Sequence, residues 1–273
     1  MQSLCSKPAR SCDAARSRWG QMIVFASVVL LTVAASTQAE DSQPQKRVLI
    51  VTGEDYPGHK WQLTAPALKM QLEQDSRLRV ETLDDLRALA ETDLSPFDAV
   101  VIHFKNYDPS IPGQAGLDRL VSYVEQGGGL VAVHFACGAF QEFKQEYELL
   151  VGRVWNPELR GHDPYGTFRV DIVTNEHKIT QSMKSFETED ELYTCLDGDT
   201  PIQVLATSIS KVDSKTYPIA FVVAHPKKRV FHCLLGHNVM GLENAGAAEL
   251  YRKGTAWAAG MALPSPHQQE TSP

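Results

Sequence analysis

Three short runs, Val48–Val51, Ala99–Ile102 and Leu130–Val133, are apolar at every position, and no other feature constrains the fold as much. Each is too short for a buried helix. A strand apolar along its whole length must be covered on both faces, which is the situation of a parallel strand inside an α/β sheet. The spans predicted as strands are Arg47–Val51, Leu78–Leu83, Asp98–His103 and Leu130–His134. Between them, Trp61–Glu73 places Leu63, Ala67, Leu68, Met70 and Leu72 at helical spacing, with Pro66 fitting only in a first turn. Gln114–Gln126 does the same with Leu117, Leu120, Val121 and Val124, and Gly127-Gly128-Gly129 ends it. Strand–helix alternation of this kind predicts a doubly wound, mostly parallel, flavodoxin-like α/β sheet. The second half is richer in strands: Thr167–Val173, Ile202–Ser208, Ile219–Ala224 and Arg229–Leu235, before a last helix at Ala245–Ala259.

The ends are expected to lie outside this domain. Lys7, Arg10, Arg16 and Arg18 precede an apolar run from Met22 to Val33 and the small-residue segment Thr37-Gln38-Ala39. That is the layout of a signal peptide (1–39), cleaved after Ala39, and the run is short of the roughly 20 residues of a spanning helix. A tether (40–46), one domain (47–262) and a polar, Pro-containing, disordered tail (263–273) complete the expected organisation. An exported location, periplasmic or extracellular, follows, with no stable membrane insertion after cleavage. The leader carries four basic residues and one acid, so its removal takes the formal charge from −7 to −10. Such a balance opposes binding to nucleic acid or anionic lipid. Three cysteines remain, Cys137, Cys195 and Cys233, which admit one unassigned disulfide and a spare thiol.

In an open doubly wound sheet, ligands bind beyond the carboxyl ends of the strands. Those ends carry histidines: His59 in the loop after the first strand, His103 ending the third, His134 ending the fourth, and His237 after Arg229–Leu235. His134 and His237 are read as pocket residues and His59 as either pocket or solvated loop. His103 is read as a strand cap held by a ring hydrogen bond, His232 as structural and His225 as an exposed hairpin residue. Asn106 follows the third strand, and Arg160-Gly161-His162-Asp163 forms a polar loop. Glu187-Thr188-Glu189-Asp190-Glu191 gathers four carboxylates ahead of an expected short strand. Most of these carboxylates belong to a solvated face, while one or two beside imidazoles suit acid–base work or a metal. No HExxH or paired CxxC spacing is present, so any divalent ion would be held by residues from distant loops. Cys137 lies just past a strand, but its turn lacks the first glycine of a nucleophile elbow. No Gly-x-Ser-x-Gly and no dinucleotide fingerprint occurs.

Taken in order, Gly53…His59-Lys60-Trp61, Gly127–His134, His177-Lys178-Ile179-Thr180, Asp190-Glu191-Leu192-Tyr193, Arg229-Val230-Phe231 with Leu235-Gly236-His237, and Trp257-Ala258-Ala259-Gly260 resemble the ThuA-like (trehalose utilisation) family. The resemblance implies a fold like that of class I glutamine amidotransferases. It also implies a small-molecule carbohydrate as partner, in particular a disaccharide or 3-keto-glycoside. The family's polar positions fall on His59, His134, Asp190, Glu191, Tyr193 and His237. The expectation is therefore proton transfer by His134 and His237 next to a sugar ketone, in an isomerisation or elimination. Substrate is expected to be bound by His59, Trp61, Asn106, His162, Asp190, Glu191 and Tyr193. Two alternatives stand beside it: a non-catalytic carbohydrate-binding protein, and a Cys137-dependent amidotransferase or peptidase.

Overall fold

The computed structural model describes residues 45–225 and 227–263. The expected signal peptide, nearly all of the tether and the tail from residue 264 lie outside the described residues. Nine strands form one sheet: β1 (Lys46–Val51), β2 (Leu78–Leu83), β3 (Ala99–Ile102), β4 (Gly129–Val133), β5 (Gly166–Ile172), β6 (Phe186–Asp190), β7 (Ile202–Ile209), β8 (Thr216–Val223) and β9 (Arg229–Cys233). Their order is β2-β1-β3-β4-β9-β8-β7-β5-β6. The first five in that order are paired in parallel, and the pairings from β9 through β6 are antiparallel. The sheet is therefore doubly wound in one half and meandering in the other, where the connections bring no crossover helix. The chain leaves β1 outward to β2 and returns across it to β3, so strand order reverses between β1 and β3.

Period-two alternation splits each central strand between two cores. Val48, Ile50, Val101, Val131 and Val133 face one side, where they pack with Leu68 and Leu72 of α1 (Trp61–Glu73) and Leu250 and Tyr251 of α5 (Ala245–Ala258). Leu49, Val51, Val100, Ile102, Leu130 and Ala132 face the other. There Leu117, Leu120 and Val124 of α2 (Gly113–Glu125) cover them together with Tyr147 and Leu150 of α3 (Lys144–Val151). All of β3 and β4 is buried, as uniformly apolar strands require.

Three details depart from the sequence reading. Pro66 lies in the second turn of α1, where it lacks the N–H of an i→i−4 bond. Burial of Ala65, Ala67 and Leu68 around it holds the helix, while Leu63 and Met70 face solvent. The acidic run is itself a strand: along β6, Glu187 and Glu189 point out while Thr188 and Asp190 point in. Finally, Cys137, Cys195 and Cys233 are all free thiols.

Two junctions tie helices to strands. Gly129 begins β4 against the end of α5, where an added Cβ would stand 2.0 Å from the carbonyl oxygen of Ala258. Arg229 clamps the same carbonyl through Nε at 2.8 Å and the Gly127 carbonyl through its terminal nitrogen at 2.8 Å. His232 is fully buried, and its Nδ1 lies 3.1 Å from the Val151 carbonyl. Burial pushes its pKa down to about 4.

Both junctions are testable by chemical denaturation. Gly129→Ala meets the Ala258 backbone and is expected to cost about 3 kcal/mol, at the upper end for overpacking; a loss below about 0.5 kcal/mol would mean α5 is not seated on β4 as described. His232 stays neutral in the folded chain while its unfolded counterpart charges below about pH 6.5, so its contribution is present above that pH and is lost as pH falls toward 4. Removing it in His232→Gln is expected to shrink the stability difference between pH 7 and pH 5 by about 2 kcal/mol. An unchanged difference would show that this ring is not held neutral by burial.

Candidate functional site

Five segments meet at the carboxyl edge of the parallel strands. The loop after β1 supplies His59 and the turn after β4 supplies His134. The segment after β9 supplies His237, the segment after β6 supplies Glu191, and the loop before β5 supplies His162. His59, His134, Glu191 and His237 each offer one ligand-type atom, and these four atoms lie within 4.8 Å of one another.

Each side chain is aimed by a specific backbone feature. His134 has φ of 47°, a left-handed conformation that costs a non-glycine residue energy and appears where a side chain must be presented on a sharp strand-to-turn elbow. Its Nδ1 lies 2.9 Å from the Leu234 carbonyl. A carbonyl only accepts, so Nδ1 carries the proton and the buried Nε2, which has no hydrogen-bond partner, presents a lone pair. His237 follows Gly236, whose φ of 109° makes the turn out of the sheet. The buried carboxylate of Asp190 accepts from the N–H groups of Gly236 (2.6 Å), His237 (3.0 Å) and Glu191 (2.8 Å). Asp190 thereby ties the end of β6 to the turn after β9 and puts Glu191 beside His237. His59 lies flat against Phe135, with ring centroids 4.4 Å apart and planes 10° apart.

The polar atoms at the centre face one another without satisfying one another. Both nitrogens of His59, Nε2 of His134 and Nδ1 of His237 are buried without a hydrogen-bond partner. Glu191 Oε2 lies 3.1 Å from His237 Nδ1 and 3.6 Å from His134 Nε2. Burial, then the neighbouring imidazoles His134 and His237, push His59 down to about 2, so it is neutral, the form that binds metal. Burial would raise the Glu191 carboxyl, but the close approach of His134 and His237 outweighs it and lowers the group from its ordinary value. The close approach of Glu191 in turn raises His237 against the opposing effect of burial.

Buried polar groups are nearly always paired, and four orphaned nitrogens around one carboxylate call for a missing partner. Ligand atoms about 2.1 Å from one ion stand roughly 3 to 4 Å apart, so this cluster needs only a small contraction to hold a divalent transition metal. The sequence reading lent a metal little support because no ligand spacing occurs along the chain. The fold brings the ligands together from four separate connections.

His59, Glu191 and His237 of this cluster line a cavity of about 200 Å³, with Tyr56, Lys105, Tyr107, Trp155, His162 and Tyr193 also on its wall, and His134 is buried behind them. His162 Nδ1 lies 2.8 Å from the Asp163 carbonyl, a contact that in the neutral ring puts the proton on Nδ1, and 3.7 Å from Glu191 Oε1. Tyr193 packs its ring 4.5 Å from that of His134. Three expected substrate residues lie outside the cavity wall. Trp61 donates from Nε1 to Asp55 at the start of α1. Asn106 is buried and accepts from the Phe140 N–H at 2.7 Å. Asp190 spends its carboxylate on backbone, as above. His103 is the strand cap expected of it, with Nδ1 3.1 Å from Thr52 Oγ1, and His225 is exposed. Cys137 borders the cavity but is 1% exposed, and burial pushes its thiol up to about 12, against the thiolate that attack needs. The elbow falls three residues before it, on His134. Lys105, Tyr107 and Tyr56 were reachable by the strand-end rule, which passed over them in favour of histidines; Trp155 follows no parallel strand and carried no such signal.

The comparisons with known proteins agree with this architecture. The family model described as trehalose utilisation, ThuA, matches residues 47–258. A ThuA-like protein from Parabacteroides merdae superposes with a TM-score of 0.68 at 22% identity, covering 82% of this chain and 93% of that one. A ThuA-like protein from Bacteroides uniformis gives 0.63 at 18%, covering 79% and 91%. A glutamine amidotransferase from Thermotoga maritima gives 0.52 at 10%, covering 80% and 99%. No curated protein matches the chain significantly. These structural likenesses speak for the fold, and the family model spans most of the chain: the protein belongs to the ThuA, trehalose-utilisation, family.

Proposed function

We propose that the protein is a metal-dependent carbohydrate-processing enzyme that moves a proton at the carbon next to a sugar ketone, in an isomerisation or elimination. The observation that carries this reading is the convergence of three imidazoles and one carboxylate, with orphaned nitrogens, beside a sugar-sized cavity. The family name supplies the carbohydrate connection. A divalent ion held by His59, His134, His237 and Glu191 supplies Lewis acidity toward a carbonyl oxygen. His134 and His237, expected to be bases, are thereby committed as ligands, because the lone pairs they would use for proton transfer point at the centre.

His162 takes the role of base. It lines the same cavity, and its Nδ1–H···O=C bond to Asp163 leaves Nε2 free to accept a proton. Tyr193 and Phe135 close the cavity around the rings of His134 and His59 and keep water away from them. Export by the leader expected at residues 1–39 is part of the same proposal, and cell fractionation checks it directly.

Two measurements test the reading. Metal-stripped protein is expected to take up one equivalent of zinc or manganese with a rise in melting temperature, and Glu191→Gln to weaken uptake about tenfold to hundredfold or more. Uptake unchanged by that substitution would move the ion elsewhere. In D2O, the loaded protein is expected to exchange the proton beside the ketone of a 3-keto-glucoside. His162→Gln is expected to slow exchange roughly 10²- to 10⁴-fold while metal uptake persists. Full exchange in that variant would exclude His162 as the base.

A further inference from the structure

The cavity opposite the proposed ion centre holds a cation that has no counter-ion. Lys105 leaves the end of β3 and lies across Gly138, where a Cβ would stand 2.9 Å from its Cδ. Its Nζ sits 5.1 Å from the ring centroid of Tyr107 and 5.4 Å from that of Trp155, and both rings line the cavity. Among the described residues no carboxylate lies within salt-bridge distance of it. Half-burial beside aromatic faces offsets only part of what this ammonium loses from water.

The charge balance of the cavity points the same way. Glu191 is the single carboxylate on its wall, and it belongs to the centre. A divalent ion with three neutral imidazoles and one carboxylate carries a net positive charge. Lys105 adds a second, and no group on the wall offsets either. A partly desolvated site with surplus positive charge selects an anionic ligand. The volume, about 200 Å³, suits one sugar ring better than two. Tyr56 and Tyr107 stack with ring centroids 4.7 Å apart and are 40% and 43% exposed, so they form an aromatic lip where one ring enters.

Resting on the metal-dependent reading above, we propose that the site takes a carboxylate-bearing keto sugar of one ring, a keto-aldonate or keto-uronate, with Lys105 holding the carboxylate. The ketone and its neighbouring hydroxyl then lie toward the His59–His134–Glu191–His237 centre. Lys105 sets specificity by charge, and it performs no proton transfer.

The test is calorimetric titration of D-glucuronate and D-glucose into the full-length protein, with and without zinc, for the native chain and for Lys105→Gln and Lys105→Arg. The native protein is expected to bind glucuronate at least about tenfold more tightly than glucose, the size of a charge-assisted contact. Lys105→Gln should abolish that preference while zinc uptake is unchanged, and Lys105→Arg should retain most of it. Equal binding of the two sugars by the native protein, binding of neither, or a preference that survives Lys105→Gln would overturn the proposal. Zinc uptake is read separately in the same samples. Its absence would remove the metal reading alone, since a Lys105-dependent glucuronate preference without zinc would still uphold the carboxylate site.

Discussion

The buried carboxylate of Asp190 is the interaction on which the site depends. Its two oxygens receive three backbone N–H groups, from Glu191, Gly236 and His237. Charge-assisted bonds of this kind, away from water, are among the stronger single contacts available to a fold. They join the last residue of β6, at one edge of the nine-stranded sheet, to the turn after β9 near its middle. Without that tie, the antiparallel half would be free to end anywhere. With it, Glu191 and His237 arrive side by side.

The parallel half contributes by a different device. His134 occupies the strained elbow after β4, and His59 is pinned by stacking on Phe135 from the same elbow turn. The strain is tolerated because β4 is buried on both faces and its neighbours leave it no alternative path. The side chain presented at this elbow is an imidazole, and Cys137 lies buried three residues further on.

Much of this was legible along the chain, for identifiable reasons. The apolar strands and both long early helices followed from period and length, and their boundaries differ from the structure by a residue or two. His134 and His237 were recoverable because open α/β sheets bind at strand carboxyl ends, a rule set by topology. The same rule treated His103 identically in position, yet its ring turns down to Thr52 and away from the centre. The acidic run was harder. Alternation along β6 sends Glu187 and Glu189 to solvent and Asp190 inward, but only once the run is recognised as a strand. Its charge had suggested a solvated segment.

The amino-acid sequence by itself determined the layers of the fold, because burying a fully apolar strand admits few solutions and the 3.6- and 2-residue periods record which solution was taken. It also determined that imidazoles collect at one edge of the sheet. Only the tertiary structure decided that His59, His134, Glu191 and His237 converge, that His162 lines the same cavity, and that Lys105 lies on its wall with no carboxylate at salt-bridge distance among the described residues. Those outcomes depend on a positive φ at residue 134, on three N–H groups converging on Asp190, and on ring stacking between separate loops. Each is a relation between groups distant in the chain or a dihedral choice within it, and neither leaves a periodic mark in the order of residues.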